Sequence, residues 1–114
     1  EWMKLQPPSP GYAEKVYYHD IPAQEGDRST ARIVNPGLGL TAMLSWPTRD
    51  LPYLIEWKMM GEGEYVLGLE PANCRVAGRA AEMEGSPHCV LAPGESRKFA
   101  LSITLNRPPV ASEG

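Results

Sequence analysis

The stretch Tyr53-Leu-Ile-Glu-Trp-Lys-Met-Met-Gly-Glu-Gly-Glu-Tyr-Val-Leu-Gly-Leu-Glu-Pro71 decides the fold. Tyr53, Ile55, Trp57 and Met59 alternate with Leu54, Glu56, Lys58 and Met60, the period of two that belongs to a strand and not to a helix. Gly61-Glu62-Gly63 ends that run. From Glu64 to Glu70 the alternation resumes, with Tyr65, Leu67 and Leu69 on one face and Val66, Gly68 and Glu70 on the other. Pro71, lacking an N–H for the ladder, is expected to stop this second strand.

The same period extends in both directions. Leu38, Leu40, Ala42, Leu44 and Trp46 alternate with Gly39, Thr41, Met43 and Ser45, a half-buried strand entered through the Asn35-Pro36-Gly37 turn. Upstream, residues 14–19 (EKVYYH) and 30–35 (TARIVN) are rich in strand formers and separated by Ile21-Pro22 and Glu25-Gly26-Asp27. Downstream, residues 75–81 and 88–91 read as short strands or extended loops on either side of Glu84-Gly85-Ser86-Pro87. After the turn at Pro93-Gly94-Glu95, Phe99, Leu101, Ile103 and Leu105 alternate with Lys98, Ala100, Ser102 and Thr104, a strand expected to close a sheet. Twelve prolines and eleven glycines in 114 residues leave little room for long helices. Six to eight short strands with a turn every eight to twelve residues describe an all-β chain, an antiparallel β-sandwich or a barrel.

Within that frame residues 1–13, with Pro7-Pro8-Ser9-Pro10-Gly11, form a linker or the remnant of another element; residues 14–107 form the β domain, and residues 108–114 a flexible tail. The length suits one domain. A net charge of −3 supplies no basic face for nucleic acid or an anionic membrane. No apolar run approaches the roughly 20 residues of a membrane span, so a soluble chain without membrane partners is expected. Cys74 and Cys89 stand outside any C-x-x-C pattern, for which a reduced, cytoplasmic setting is the plainer expectation, with a single disulfide as the alternative. His19, His88, Cys74 and Cys89 have no zinc spacing, and Gly61-Glu62-Gly63 lacks the third glycine of a phosphate-binding loop, so no metal and no nucleotide is expected.

Chemistry concentrates at Glu70. It shares a face with Gly68, whose missing side chain leaves space for a ligand beside a carboxylate able to take a proton from a sugar hydroxyl; the alternative is a solvated strand-end carboxylate. Around it, several groups suit a sugar's hydroxyls. His19 and Asp20 either line the sugar cleft, with Asp20 accepting hydroxyl hydrogen bonds, or form a strand-end turn in which Asp20 caps its own backbone. Lys58 either reaches a ligand or is simply solvated, and Trp57 either stacks on a sugar or, as its aromatic-rich face suggests, joins the core. Asn73 and Arg79 carry donors, Asn73 having a turn role as its alternative.

Residues 65–71 (YVLGLEP), preceded by residues 51–61 (LPYLIEWKMMG) and followed by residues 93–99 (PGESRKF), resemble the C-terminal part of the aldose 1-epimerase family, in its less characterised galactose-mutarotase-like branch. Tyr17-Tyr18-His19-Asp20 and Val34-Asn35-Pro36 fit the same branch, so the resemblance covers nearly the whole chain. It implies part of a large antiparallel supersandwich that binds a monosaccharide or sugar derivative in a cleft and works without a cofactor. In that family a glutamate of this element takes the proton of the anomeric hydroxyl while a histidine protonates the ring oxygen, and Glu70 matches the glutamate. The acid histidine belongs to the family's N-terminal half, and neither His19 nor His88 stands in its context. A family domain is more than twice this length, so the expected partner is a missing N-terminal half, or a second copy through exposed strand edges. Three readings follow: a mutarotase-type isomerase domain completed by that half, a carbohydrate-binding module without turnover, and a structural β-sandwich fragment.

Overall fold

Residue alternation becomes two separate sheets. The structure is a computed structural model that describes residues 3–24, 26–85 and 90–107, with the side chains of residues 83–85 excepted. Its strands are β1 (Lys15–His19), β2 (Arg28–Asn35), β3 (Leu40–Pro47), β4 (Tyr53–Met60), β5 (Tyr65–Ala72) and β6 (Ser102–Asn106), with one helix, α1 (Arg79–Gly85), before β6. One antiparallel sheet has the order β1-β4-β5 and the other β2-β3-β6. The chain is therefore all-β and sandwich-like, as its alternation requires.

Turn chemistry fixes both hairpins. Between β4 and β5, Gly61 N–H donates to the Glu64 carbonyl (3.0 Å) and Gly63 takes φ of 81°, a conformation costly for any residue with a Cβ. Between β2 and β3, the Asn35 side chain accepts from Leu38 N–H and Gly39 N–H donates to the Pro36 carbonyl.

The sheets meet at one end. Trp46 of β3, Leu51 of the β3–β4 connection and Leu54 of β4 form the shared core, flanked by Ile21, Ala31 and Leu44. Trp46 is 1% exposed, and its indole N–H is satisfied by the Leu51 carbonyl at 3.0 Å. Beside it Ser29 and Thr48 share a hydrogen bond of 2.7 Å, so this corner buries no polar group without a partner. Further along the same face of the second sheet, Ile103 and Leu105 of the edge strand β6 are 65% and 76% exposed. The total accessible area of 8478 Å² exceeds the roughly 6,200 Å² expected of a compact protein of this mass.

Four expectations need correction. Pro71 does not end β5, which runs to Ala72. As an edge strand β5 has a neighbour on one side only, and an edge tolerates a missing N–H. Residues 79–81 are helical because Arg79, Ala80, Ala81 and Glu82 are all tolerated or favoured in a helix, and no β-branched residue interrupts them. The final strand begins at Ser102, leaving Phe99 and Leu101 outside it. The fourth concerns β4, whose core face carries Leu54, Glu56, Lys58 and Met60, all buried, while Trp57 is half-buried on the other face. The proline-rich segment causes this: irregular as its composition requires, it is strapped to the first sheet by Ser9 N–H to the Met60 carbonyl, Lys58 to the Lys4 carbonyl and Tyr65 hydroxyl to the Gln6 carbonyl.

Candidate functional site

Antiparallel register sorts the first sheet's residues by face, because residues opposite each other share a side. On the core face lie Lys15, Tyr17 and His19 of β1, Leu54, Glu56, Lys58 and Met60 of β4, and Tyr65, Leu67 and Leu69 of β5. On the reverse lie two rows, Tyr18–Ile55–Glu70 and Val16–Trp57–Gly68. Thus Glu70 and Trp57 share one side of the sheet, and His19 and Lys58 the other.

The core-face charges are structural in geometry. Glu56 is 4% exposed, and its Oε1 accepts from His19 Nε2 at 3.0 Å; the Tyr17 ring stacks along His19 with centroids 6.4 Å apart. Lys58 is 2% exposed and donates to the Lys4 backbone carbonyl, so the expectation of a solvated lysine fails: its ammonium is roofed and satisfied by the strap. Glu56 escaped the sequence reading because alternation alone placed it on the polar side of an apparently one-sided strand. A carboxylate and a lysine flanked by Leu54 and Met60 was the available signal.

The reverse face holds the sequence's main candidate. Glu70 is exposed, and its Oε1 lies 2.8 Å from where a Cβ on Gly68 would sit, with the Trp57 Cβ 3.6 Å from that point. The gap left by Gly68 is therefore filled by the carboxylate of Glu70 itself, folded back beside Trp57. The indole is held in turn by its N–H to Glu14 Oε2 at 2.7 Å. Tyr18, 48% exposed, flanks Ile55 on the side opposite Glu70. A carboxylate acceptor beside one aromatic side chain, with a second two strands away on the same face, can hold hydroxyls while C–H groups rest on a ring. Gly68→Ala is expected to leave stability within about 1 kcal/mol, since only a flexible side-chain end must move. It should nonetheless displace the Glu70 carboxylate, checked by the Glu70 side-chain carboxyl carbon shift together with a denaturation curve.

The remaining candidates are dispersed. Asp20 is exposed at the end of β1 and makes no hydrogen bond among the described residues, so the turn-capping alternative is not realised. Asn73 is half-buried just after β5 and makes a polar contact. Arg79, exposed at the start of α1, lines a cavity of about 600 Å³ with Cys74, Arg75, Val76, Glu82 and Leu91. Arg75 Nε lies 3.5 Å from Oε1 of the buried Glu82. Val76 N–H donates to the Tyr18 hydroxyl at 3.2 Å, which ties this cavity to the face bearing Glu70. Cys74 is a free thiol; His88 and Cys89 lie outside the described residues. Among the described residues no group of three or more His, Cys, Asp or Glu is placed to hold a metal, and no helix is long and apolar enough to cross a membrane.

These features define an all-β protein of two three-stranded antiparallel sheets, one of which bears a carboxylate-and-aromatic surface on its reverse face. Residues 1–105 match the family described as Domain of unknown function (DUF4432), and the chain belongs to that family. No curated protein and no solved structure matches it.

Proposed function

We propose that this chain is the carbohydrate-binding part of an aldose 1-epimerase-like protein, with Glu70 the group that receives the anomeric hydroxyl proton of a monosaccharide in the intact protein. The observation that carries the reading is the placement of Glu70: a carboxylate on an exposed strand, packed over Gly68, beside Trp57 and in line with Tyr18. In the proposed step the carboxylate takes the hydroxyl proton, the anomeric carbonyl forms and the ring C–O bond breaks, its electron pair leaving on the ring oxygen. That oxygen then needs a proton from an acid. His19, on the other side of the sheet and bonded to Glu56, is not that acid.

The same observation favours a second reading, a carbohydrate-binding module without turnover, in which Glu70 only accepts hydroxyl hydrogen bonds. The exposed aliphatic face at Ile103 and Leu105 supports a further part of the reading, that another β-segment completes the sandwich, from a longer parent chain or a second copy. A cytoplasmic setting fits the free Cys74 thiol.

Glu70→Gln separates these readings, because the amide keeps the shape and the hydrogen-bonding reach but cannot take the proton. NMR titration with a panel of aldoses should show binding by the wild type and faster anomer exchange in the presence of the intact parent protein. In E70Q exchange should fall by at least about 100-fold. Binding with no acceleration in any form would select the non-catalytic module, and no binding of any aldose would remove the carbohydrate reading.

A further inference from the structure

The cavity beside α1 has a charge that the sugar reading leaves unused. Its described lining carries two cations and one anion, Arg75, Arg79 and Glu82. Arg75 is engaged by Glu82, which is 6% exposed, whereas Arg79 makes no hydrogen bond or ion pair among the described residues. Among the described lining residues the net charge left over is one positive guanidinium, on a concave, partly apolar surface of about 600 Å³, ample for a monosaccharide.

Its position relative to Glu70 is set by the chain. Tyr18 and Glu70 flank Ile55 in one row, two strand spacings or about 10 Å apart, and the Tyr18 hydroxyl touches Val76 in the cavity wall. Only Pro71 to Asn73 separate Glu70 from the lining residue Cys74. A pyranose resting near Glu70 and Tyr18 can therefore point a substituent toward Arg79. A hydroxyl would gain little there, but an anionic group would gain a charge-assisted, two-pronged hydrogen bond.

We propose that the ligand of this surface is an acidic monosaccharide, a sugar carboxylate or sugar phosphate, whose anionic group is held by Arg79 at the cavity while its ring lies against Tyr18 and Glu70. This rests on the carbohydrate reading above and narrows its substrate class. Glu82 keeps Arg75 in place and the excess charge of the described lining at one, which suits a singly charged carboxylate at least as well as a phosphate.

The test is calorimetric titration of the whole chain with a neutral hexose, the matching hexuronate and the matching hexose phosphate, on wild type, Arg79→Met and Arg79→Lys. The expected result is that at least one acidic sugar binds about tenfold or more tightly than the neutral hexose. Arg79→Met should abolish that preference by weakening the acidic sugar far more than the neutral hexose, and Arg79→Lys should retain part of it. Preference for the hexuronate assigns a carboxylate, and preference for the hexose phosphate a phosphate. Equal affinity for all three sugars, or a preference that survives Arg79→Met in a variant of unchanged circular dichroism, overturns the proposal and leaves the carbohydrate reading standing. Absence of binding by any of the three overturns both.

Discussion

Trp46→Ala is expected to remove about 3–5 kcal/mol, a large fraction of the roughly 5–15 kcal/mol that keeps a domain folded, and so to lower the unfolding midpoint sharply. Trp46 is the largest fully buried side chain, and with Leu51 and Leu54 it forms the core that joins the two sheets. Truncation opens a cavity there and also leaves the Leu51 carbonyl without its indole donor. The described chain has few other buried apolar side chains to compensate, chiefly Ile55 and Met60, and both belong to the first sheet. Urea titration followed by circular dichroism reads the effect. A sigmoidal transition with a midpoint near that of the wild type would mean that the sheets are not held together at this corner.

Lys58 supplies the second large effect and separates charge from packing. Lys58→Glu would put a carboxylate beneath the strap, on the same face as the buried Glu56 two residues away and facing the Lys4 carbonyl, which cannot donate to it. A loss of about 3–5 kcal/mol is expected, because a buried charge would lose its partners and meet another of like sign. Lys58→Met should cost no more than about 1–2 kcal/mol, since an apolar side chain of similar length often replaces a buried ion without net loss. Thermal unfolding of the two variants is the comparison. Equal, small losses would show that the strap does not cover this face in solution.

Period two made β3, β4 and β5 legible almost to the residue: the expected strand at 53–60 is β4. What alternation cannot supply is which of two faces is covered. In β4 the face with Tyr53, Ile55, Trp57 and Met59 is the more apolar in composition and buries only Ile55, yet the other is buried from Leu54 to Met60, because Leu54 meets Trp46 across the sheets and Lys58 is closed over by residues remote in sequence. The same non-local coverage turned Glu56 and the half-buried His19 into a hydrogen-bonded pair and put His19 and Lys58 on the face opposite Glu70. Helix α1 was missed for a local reason: one short turn-rich segment carries too few residues for a helical period to show. Glu70 is legible as a candidate because a strand carboxylate two residues from a glycine is a local feature. That Trp57 of β4 and Tyr18 of β1 lie on the same face as Glu70 only the register reveals.

The central claim is that Glu70, Gly68 and Trp57 form a surface that receives a sugar. It is tested most directly by two-dimensional NMR of the nitrogen-labelled chain, following the Trp57 indole N–H and Gly68 amide signals during titration with an aldose. Saturable shifts of both are predicted, with the Trp46 indole signal unmoved and the shifts lost or strongly weakened in Gly68→Ala. Signals of Trp57 and Gly68 that stay fixed at saturating aldose, or shifts confined to the His19–Glu56 face, would contradict it.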